Sequence, residues 1–243
     1  MKGMGAIETM VLVLLKRHKV PLKRSVILLA VADEEVASGG VKDLVANHWK
    51  ELDCGVVLNE GGLGVRDAIF PGQTVWGISV ADKGALWLKM TAHGEAGHGS
   101  MPVPGRAPDR LIRAIEKLRA HEAKVTVHPS LYETLAQVGH QHGGFSGFVL
   151  ARPALVDTFA MGKLLEAPRS RAMVTDTINV TGLSGGTEPN VIPSEVSATL
   201  DCRLLPKTTP KKMLQELERI VDDPKVTFEV LFSEQGNESA WEG

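Results

Sequence analysis

Carboxylates follow directly on two short apolar runs. Val26 to Ala32 leads into Asp33, Glu34 and Glu35, and Cys54 to Asn59 leads into Glu60. If both runs are strands of an open α/β sheet, the acids converge outside the strand ends, where ligands of such sheets collect. Adjacent residues at a strand end point in different directions. One of Glu34 and Glu35 can then face a metal ion while the other faces a bound water, the division of labour that metal-assisted hydrolysis needs. The same acids also suit a plainer reading, as residues ahead of a helix near Val41, where the helix dipole favours negative charge. Three other positions carry useful chemistry. His98 lies in Gly97-His98-Gly99-Ser100, Asn190 lies between Pro189 and Pro193, and Arg203 ends an alternating run. By type alone they read as a loop histidine, a turn amide and a surface arginine paired with Asp201 or Glu195.

The elements that would position these residues fall into two sets. Met4 to His18 places Ile7, Met10, Val11, Leu14 and Leu15 at helical spacing before Pro21. Ser25 to Ala32, a helix over Val41 to Trp49, and Cys54 to Asn59 then read as strand, helix and strand. That order predicts a crossover joining two buried parallel strands in an α/β unit over residues 1–82. From Lys83 the pattern changes. Ala85 to His93 alternates, Arg106 to Arg119 is helical, and Thr175 to Thr181 and Ser194 to Leu205 are strand-like. Pro210 to Val221 is helical again, and Lys225 to Phe232 is a last strand. The sequence predicts a β-α-β-β-α-β ferredoxin-like sandwich over 83–232, with 121–173 either an insertion bearing local helices or a long loop. Residues 233–243 carry no element of their own.

Composition narrows the function classes. The 243 residues hold 27 Lys and Arg against 29 Asp and Glu, and no basic block suits a phosphate backbone, so nucleic acid is not an expected partner. No apolar stretch approaches the roughly 20 residues of a membrane helix. No signal-like segment follows Met1, so a cytoplasmic setting is expected. Cys54 and Cys202 form no C-x-x-C pair and read as ordinary thiols rather than as a disulfide or a zinc site.

Five motifs in order carry a resemblance. They are VADEEVASGG, LNEGG, KGxxWLKMTAHGEAGHGSMP, GGTEPNVIP and LDCRLLP. In this order they resemble the zinc metallopeptidase and amidohydrolase superfamily of carboxypeptidase S, carboxypeptidase G, aminoacylase, acetylornithine deacetylase and succinyl-diaminopimelate desuccinylase. The resemblance implies a partial catalytic α/β domain over 1–82, a lid and dimerisation domain over 83–232, and a return toward the catalytic domain over 233–243. It implies hydrolysis of an amide next to a free carboxylate, in a peptide or an N-acyl amino acid. Glu34 matches the general base, Glu35 a zinc ligand, and Glu60 the terminal ligand of a second zinc. His98 matches a lid histidine that reaches a partner subunit's site and donates to the oxyanion. Asn190 and Arg203 match substrate-binding positions, the arginine as a fork for a carboxylate. A homodimer is implied, pairing through a sheet edge at Ala85 to His93 or its neighbours, with Arg106 to Arg119.

The superfamily's two-zinc site also takes a His-x-Asp, a bridging Asp and a late histidine. None of the eight histidines opens a His-x-Asp, and the chain opens Met1-Lys2-Gly3 where the bridging Asp would stand just before. The expectation is a fragment lacking N- and C-terminal catalytic segments, with Glu35 and Glu60 as an incomplete ligand set. Two other readings follow: a dimerisation and lid module without catalysis, and a weak esterase.

Overall fold

The computed structural model describes residues 2–33, 38–52, 54–60, 62, 64–101 and 103–240. They fall into two compact units, Met1–Gly62 and Leu63–Gly243.

Among the described residues, the first unit holds two helices, α1 (Lys2–Arg17) and α2 (Gly39–Asn47), and a 3-10 turn at Trp49–Glu51. α1 forms where Ile7, Met10, Val11 and Leu14 recur at helical spacing, and it ends four residues before Pro21, which could not donate to it. The start of α2 is held by Asp33, whose Oδ1 accepts from the Gly40 N–H at 3.0 Å. The two expected parallel strands are corrected here. Ser25 to Ala32 and Cys54 to Asn59 run without any ladder, and the described residues of this unit form no strand. A continuous apolar run predicts burial, but a strand exists only through its neighbours' hydrogen bonds. Here Ile27 is 56% exposed and Leu58 89% exposed, so neither run has the cover that a buried parallel strand requires.

The second unit opens with β1 (Gly64–Arg66) and β2 (Thr74–Trp76), a small hairpin, followed by β3 (Ala81–Asp82), β4 (Gly84–His93) and β5 (Gly97–His98). Next come α3 (Ala107–Ala120), α4 (Pro129–His142), α5 (Gly144–Leu150), α6 (Pro153–Leu155), a π-turn at Val156–Ala160, α7 (Met161–Glu166) and α8 (Pro168–Val174). The chain continues through β6 (Thr177–Ser184), β7 (Val191–Ile192), β8 (Glu195–Leu204), α9 (Pro210–Val221), β9 (Val226–Glu234) and β10 (Asn237–Glu238). Every ladder among the described residues is antiparallel, so the architecture is mixed α and β with small antiparallel sheets rather than a parallel sheet. The main sheet has the order β6-β8-β4-β9, and two-residue ladders join β5 to β7 and β10 to β3.

Strand periodicity makes the core. Alternate residues Leu86, Leu88, Met90 and Ala92 of β4 and Val196, Ala198, Leu200, Cys202 and Leu204 of β8 are buried on one face. Leu111, Ala114 and Leu118 of α3 and Met213, Leu217 and Val221 of α9 close over them. Each fully buried leucine contributes about 2 to 3 kcal/mol over its exposed state. α9 matches its sequence expectation because it is capped at both ends. Thr209 Oγ1 accepts from the Lys212 N–H at 3.3 Å, Pro210 opens the first turn, and Asp222 closes the helix in the left-handed region at φ 43°.

β4 is an interior strand, flanked by β8 and β9, so of the edge expected at Ala85 to His93 or its neighbours, only the neighbour β9 is an edge. The edges are β6 and β9. Residues 121–173 fold largely as helices around a small cluster of Leu135, Val138, Leu150 and Val156. α4 and α5 meet at Gly139 and Gly147, where a Cβ on Gly139 would lie 2.6 Å from the Gly147 carbonyl oxygen. Lys83 ties this helical segment to the sheet. Its Nζ donates to the Ala172 and Thr175 carbonyls at 3.0 and 2.8 Å, and burial pulls its pKa down.

Candidate functional site

His98 ends β5, and its ring is oriented from within its own turn. The Ser100 N–H donates to Nδ1 at 3.2 Å, and Ser100 Oγ lies 2.8 Å from the same nitrogen. A backbone N–H can only donate, so Nδ1 is the accepting nitrogen and the ring proton sits on Nε2. The side chain is exposed, and Nε2 meets no partner among the described residues. The result is a neutral imidazole with one N–H directed to solvent, a donor suited to a developing oxyanion.

Asn190 is brought to His98 across the small ladder. His98 pairs with Val191 and Gly97 with Ile192, and the Gly99 N–H donates to the Asn190 carbonyl at 2.8 Å. Closeness at this point depends on Gly99, where a Cβ would stand 3.3 Å from that oxygen. Arg203 is placed elsewhere. It lies at the far end of β8 from Glu195, eight residues away, which at roughly 3.3 Å per residue is about 26 Å. Its guanidinium forks onto Asp201 through Nε at 2.8 Å and Nη2 at 3.2 Å. The structure therefore gathers His98 with Asn190 and leaves Arg203 apart from them, already holding a carboxylate.

Glu60 is exposed in the first unit, and Glu34 and Glu35 lie outside the described residues. No three His, Cys, Asp or Glu side chains come together among the described residues. A zinc ion takes four ligands, usually with imidazole or thiolate among them, and of the three matched acids only Glu60 lies among the described residues. His93, which superficially resembles a metal ligand beside Glu95, spends both ring nitrogens within the sheet. Nδ1 lies 3.1 Å from Glu195 Oε1, and Nε2 lies 3.1 Å from Thr227 Oγ1.

One positioning residue escapes the motif reading, Ser100, whereas Asp201 is one of the two partners expected for Arg203. Each left a signal in the spacing. A serine two residues after a histidine can reach back to Nδ1, and an Asp two residues before an Arg shares its face of a strand.

Comparison with known proteins follows this geometry. Residues 80–229, more than half of the chain, match the family described as the peptidase dimerisation domain. The human N-fatty-acyl-amino acid synthase/hydrolase is 23% identical over 231 residues, covering 94% of this chain and 46% of the relative. A probable carboxypeptidase S-like protein of Dictyostelium discoideum is 24% identical over 212 residues, covering 84% of this chain and 40% of the relative. Mouse aminoacylase-1 is 23% identical over 216 residues, covering 87% and 42% respectively. The chain thus spans less than half the length of these curated relatives. Among solved structures, human carnosine dipeptidase 1 shares the fold with a TM-score of 0.51 at 13% identity, over 85% of this chain and 47% of its own. The chain belongs to the peptidase dimerisation domain family, within the superfamily of metallopeptidases and amidohydrolases whose members are hydrolases.

Proposed function

We propose that this chain supplies the lid and dimerisation domain of a metal-dependent hydrolase that cleaves an amide bond next to a free carboxylate. The observation that carries the reading is the His98 ring, locked with its proton on the solvent-facing nitrogen beside Asn190. In that role His98 donates to the tetrahedral oxyanion in a partner subunit's site, and Asn190 orients the substrate beside it. Glu34 is the general base and Glu35 and Glu60 are metal ligands in this reading, which rests on their motif positions. Arg203 binds a substrate carboxylate by exchanging it for Asp201. Because Arg203 lies at the end of β8 in the main sheet and His98 lies in the separate β5 to β7 ladder, they serve different sites. The match to the dimerisation domain and the names of the acyl-amino-acid relatives support the substrate class. The sheet order β6-β8-β4-β9 with α3 and α9 on one face supports reading residues 83–232 as a ferredoxin-like sandwich.

Dimerisation follows from the edge strands. β6, Thr-Ile-Asn-Val-Thr-Gly-Leu-Ser, carries no charge, and Leu183 is 70% exposed, whereas β9 carries Glu229 and Glu234. Charges and prolines protect edges from pairing, and β6 has neither. The homodimer therefore pairs β6 with its twofold mate. Light scattering should return about twice 26.1 kDa, and the double substitution Val180→Lys, Leu183→Lys should return the monomer.

A second reading, association without hydrolysis, is favoured by the match of residues 80–229 to the dimerisation domain alone. One experiment separates the two. The purified 243-residue chain is expected to hold less than stoichiometric zinc after dialysis and to cleave N-acyl amino acids no faster than Glu34→Ala. Two zinc ions per chain, with activity abolished in that variant, would instead establish hydrolysis by these residues alone.

A further inference from the structure

A separate cluster joins the start of α4 to β10. His128 Nε2 lies 2.9 Å from Glu238 Oε1, and His128 Nδ1 lies 2.7 Å from Ser130 Oγ. The Ser130 N–H also donates to Nδ1, at 3.2 Å. A carboxylate only accepts, so Nε2 carries the ring proton and Nδ1 presents its lone pair to the serine hydroxyl. The order carboxylate, imidazole, hydroxyl is that of an activated nucleophile with its base and the base's orienting group. The two nitrogens are exchanged relative to the usual serine triad, which leaves the roles intact.

We propose that Ser130, His128 and Glu238 form a metal-independent nucleophilic site that accepts the acyl group of small activated esters. Capping alone does not account for the cluster. A helix cap needs only Nδ1 and the Ser130 N–H, whereas this histidine also meets a hydroxyl at 2.7 Å and a carboxylate 110 residues away in sequence. The His128 and Glu238 side chains are only 18% and 34% exposed, so their attraction is less screened than on open surface. Ser130 stands in the first turn of the 14-residue α4, where the helix dipole favours negative charge on an attacking oxygen. The similar group Glu195, His93 and Thr227 is the weaker candidate. Its contacts are both 3.1 Å, and its secondary hydroxyl is shared with the Thr91 carbonyl.

The reaction balances with water as co-substrate. Ser130 Oγ bonds to the ester carbonyl carbon while its proton passes to His128 Nδ1. The tetrahedral intermediate collapses, the bond from carbon to the leaving oxygen breaks, and that oxygen takes the proton from Nδ1. Water then attacks the acyl-serine, giving its proton to Nδ1, and the carboxylic acid departs as Ser130 recovers its hydrogen. Glu238 stays ionised and holds the Nε2 proton throughout.

The test uses the 243-residue chain with p-nitrophenyl acetate in excess EDTA. A burst of p-nitrophenolate is expected, with the acetyl group located on Ser130 by peptide mass spectrometry. Ser130→Ala should abolish the burst, and His128→Asn should reduce its rate by about 100-fold, the scale of general-base assistance. His128→Asn retains a capping side chain, so its thermal midpoint should stay close to that of the parent and exclude unfolding as the cause. The proposal is overturned if the parent shows no burst, if Ser130→Ala keeps it, if the acetyl group sits on other residues, or if EDTA abolishes the reaction. Loss with EDTA would point to the carboxylates of the first unit, which distinguishes the two sites.

Discussion

His98-Gly99-Ser100 and His128-Pro129-Ser130 share one local geometry and differ in everything around it. In both, Nδ1 accepts from the serine N–H at 3.2 Å and lies within 2.8 Å of the serine oxygen. Three residues suffice to set the tautomer, so the turn decides which nitrogen holds the proton. What the proton can do depends on distant sequence. At His128 it is committed to Glu238, and the exposed chemistry moves to the serine. At His98 it meets no described partner, and the exposed chemistry stays on the ring.

The largest expected effect that would test this contrast is on stability. His128→Ala removes a cap, costing about 1 to 2 kcal/mol. At about 2 to 4 °C per kcal/mol, calorimetry should find a midpoint several degrees lower. His128→Asn restores the cap and should recover most of that loss; an equal loss in both variants would assign the role to the Glu238 contact instead. Next in size is a pH effect. The hydrogen bond from His128 holds the Glu238 carboxyl below the usual carboxylate range. A depressed folded-state pKa means that the contribution is complete above the usual carboxylate range and disappears as pH falls through the lowered value. The midpoint difference between the parent and Glu238→Gln should therefore be present at neutral pH and shrink in acid. The smallest effect is expected at His98. His98→Ala should change stability by less than about 0.5 kcal/mol, as for an exposed position whose contacts stay within its own turn. A larger loss would mean that the ring is structural, and the contrast between the two turns would fail.

Much of the second unit was legible because its signals are local. The alternation in β4 and β8, and the Thr209, Pro210 and Asp222 caps of α9, each state their own structure. The two strands expected in the first unit do not form among its described residues, for a physical reason. Ser25 to Ala32 reports a preference for burial, and the ladder that would make it a strand depends on other chain segments. The interior place of β4 was equally invisible, since alternation does not distinguish an edge strand from a central one. At the site, the resemblance singled out His98 and Asn190, but their meeting through the Gly99 N–H spans residues far apart in sequence. The fork of Arg203 onto Asp201 had been one of the two plain alternatives for that arginine. Glu238 carried no sequence signal, because its contact with His128 spans 110 residues.

The meeting of α4 and α5 has a consequence for how this chain can vary. Each of Gly139 and Gly147 faces the other helix's backbone, so alanine at either position pushes the same two segments apart. Once the helices have separated, the second alanine meets a gap already opened. The two substitutions should then cost less together than the sum of their separate costs, a coupling of the kind expected for residues in direct contact. For a drifting sequence this makes the pair a ratchet: the first departure from glycine is the hard one, and after it the second position is released.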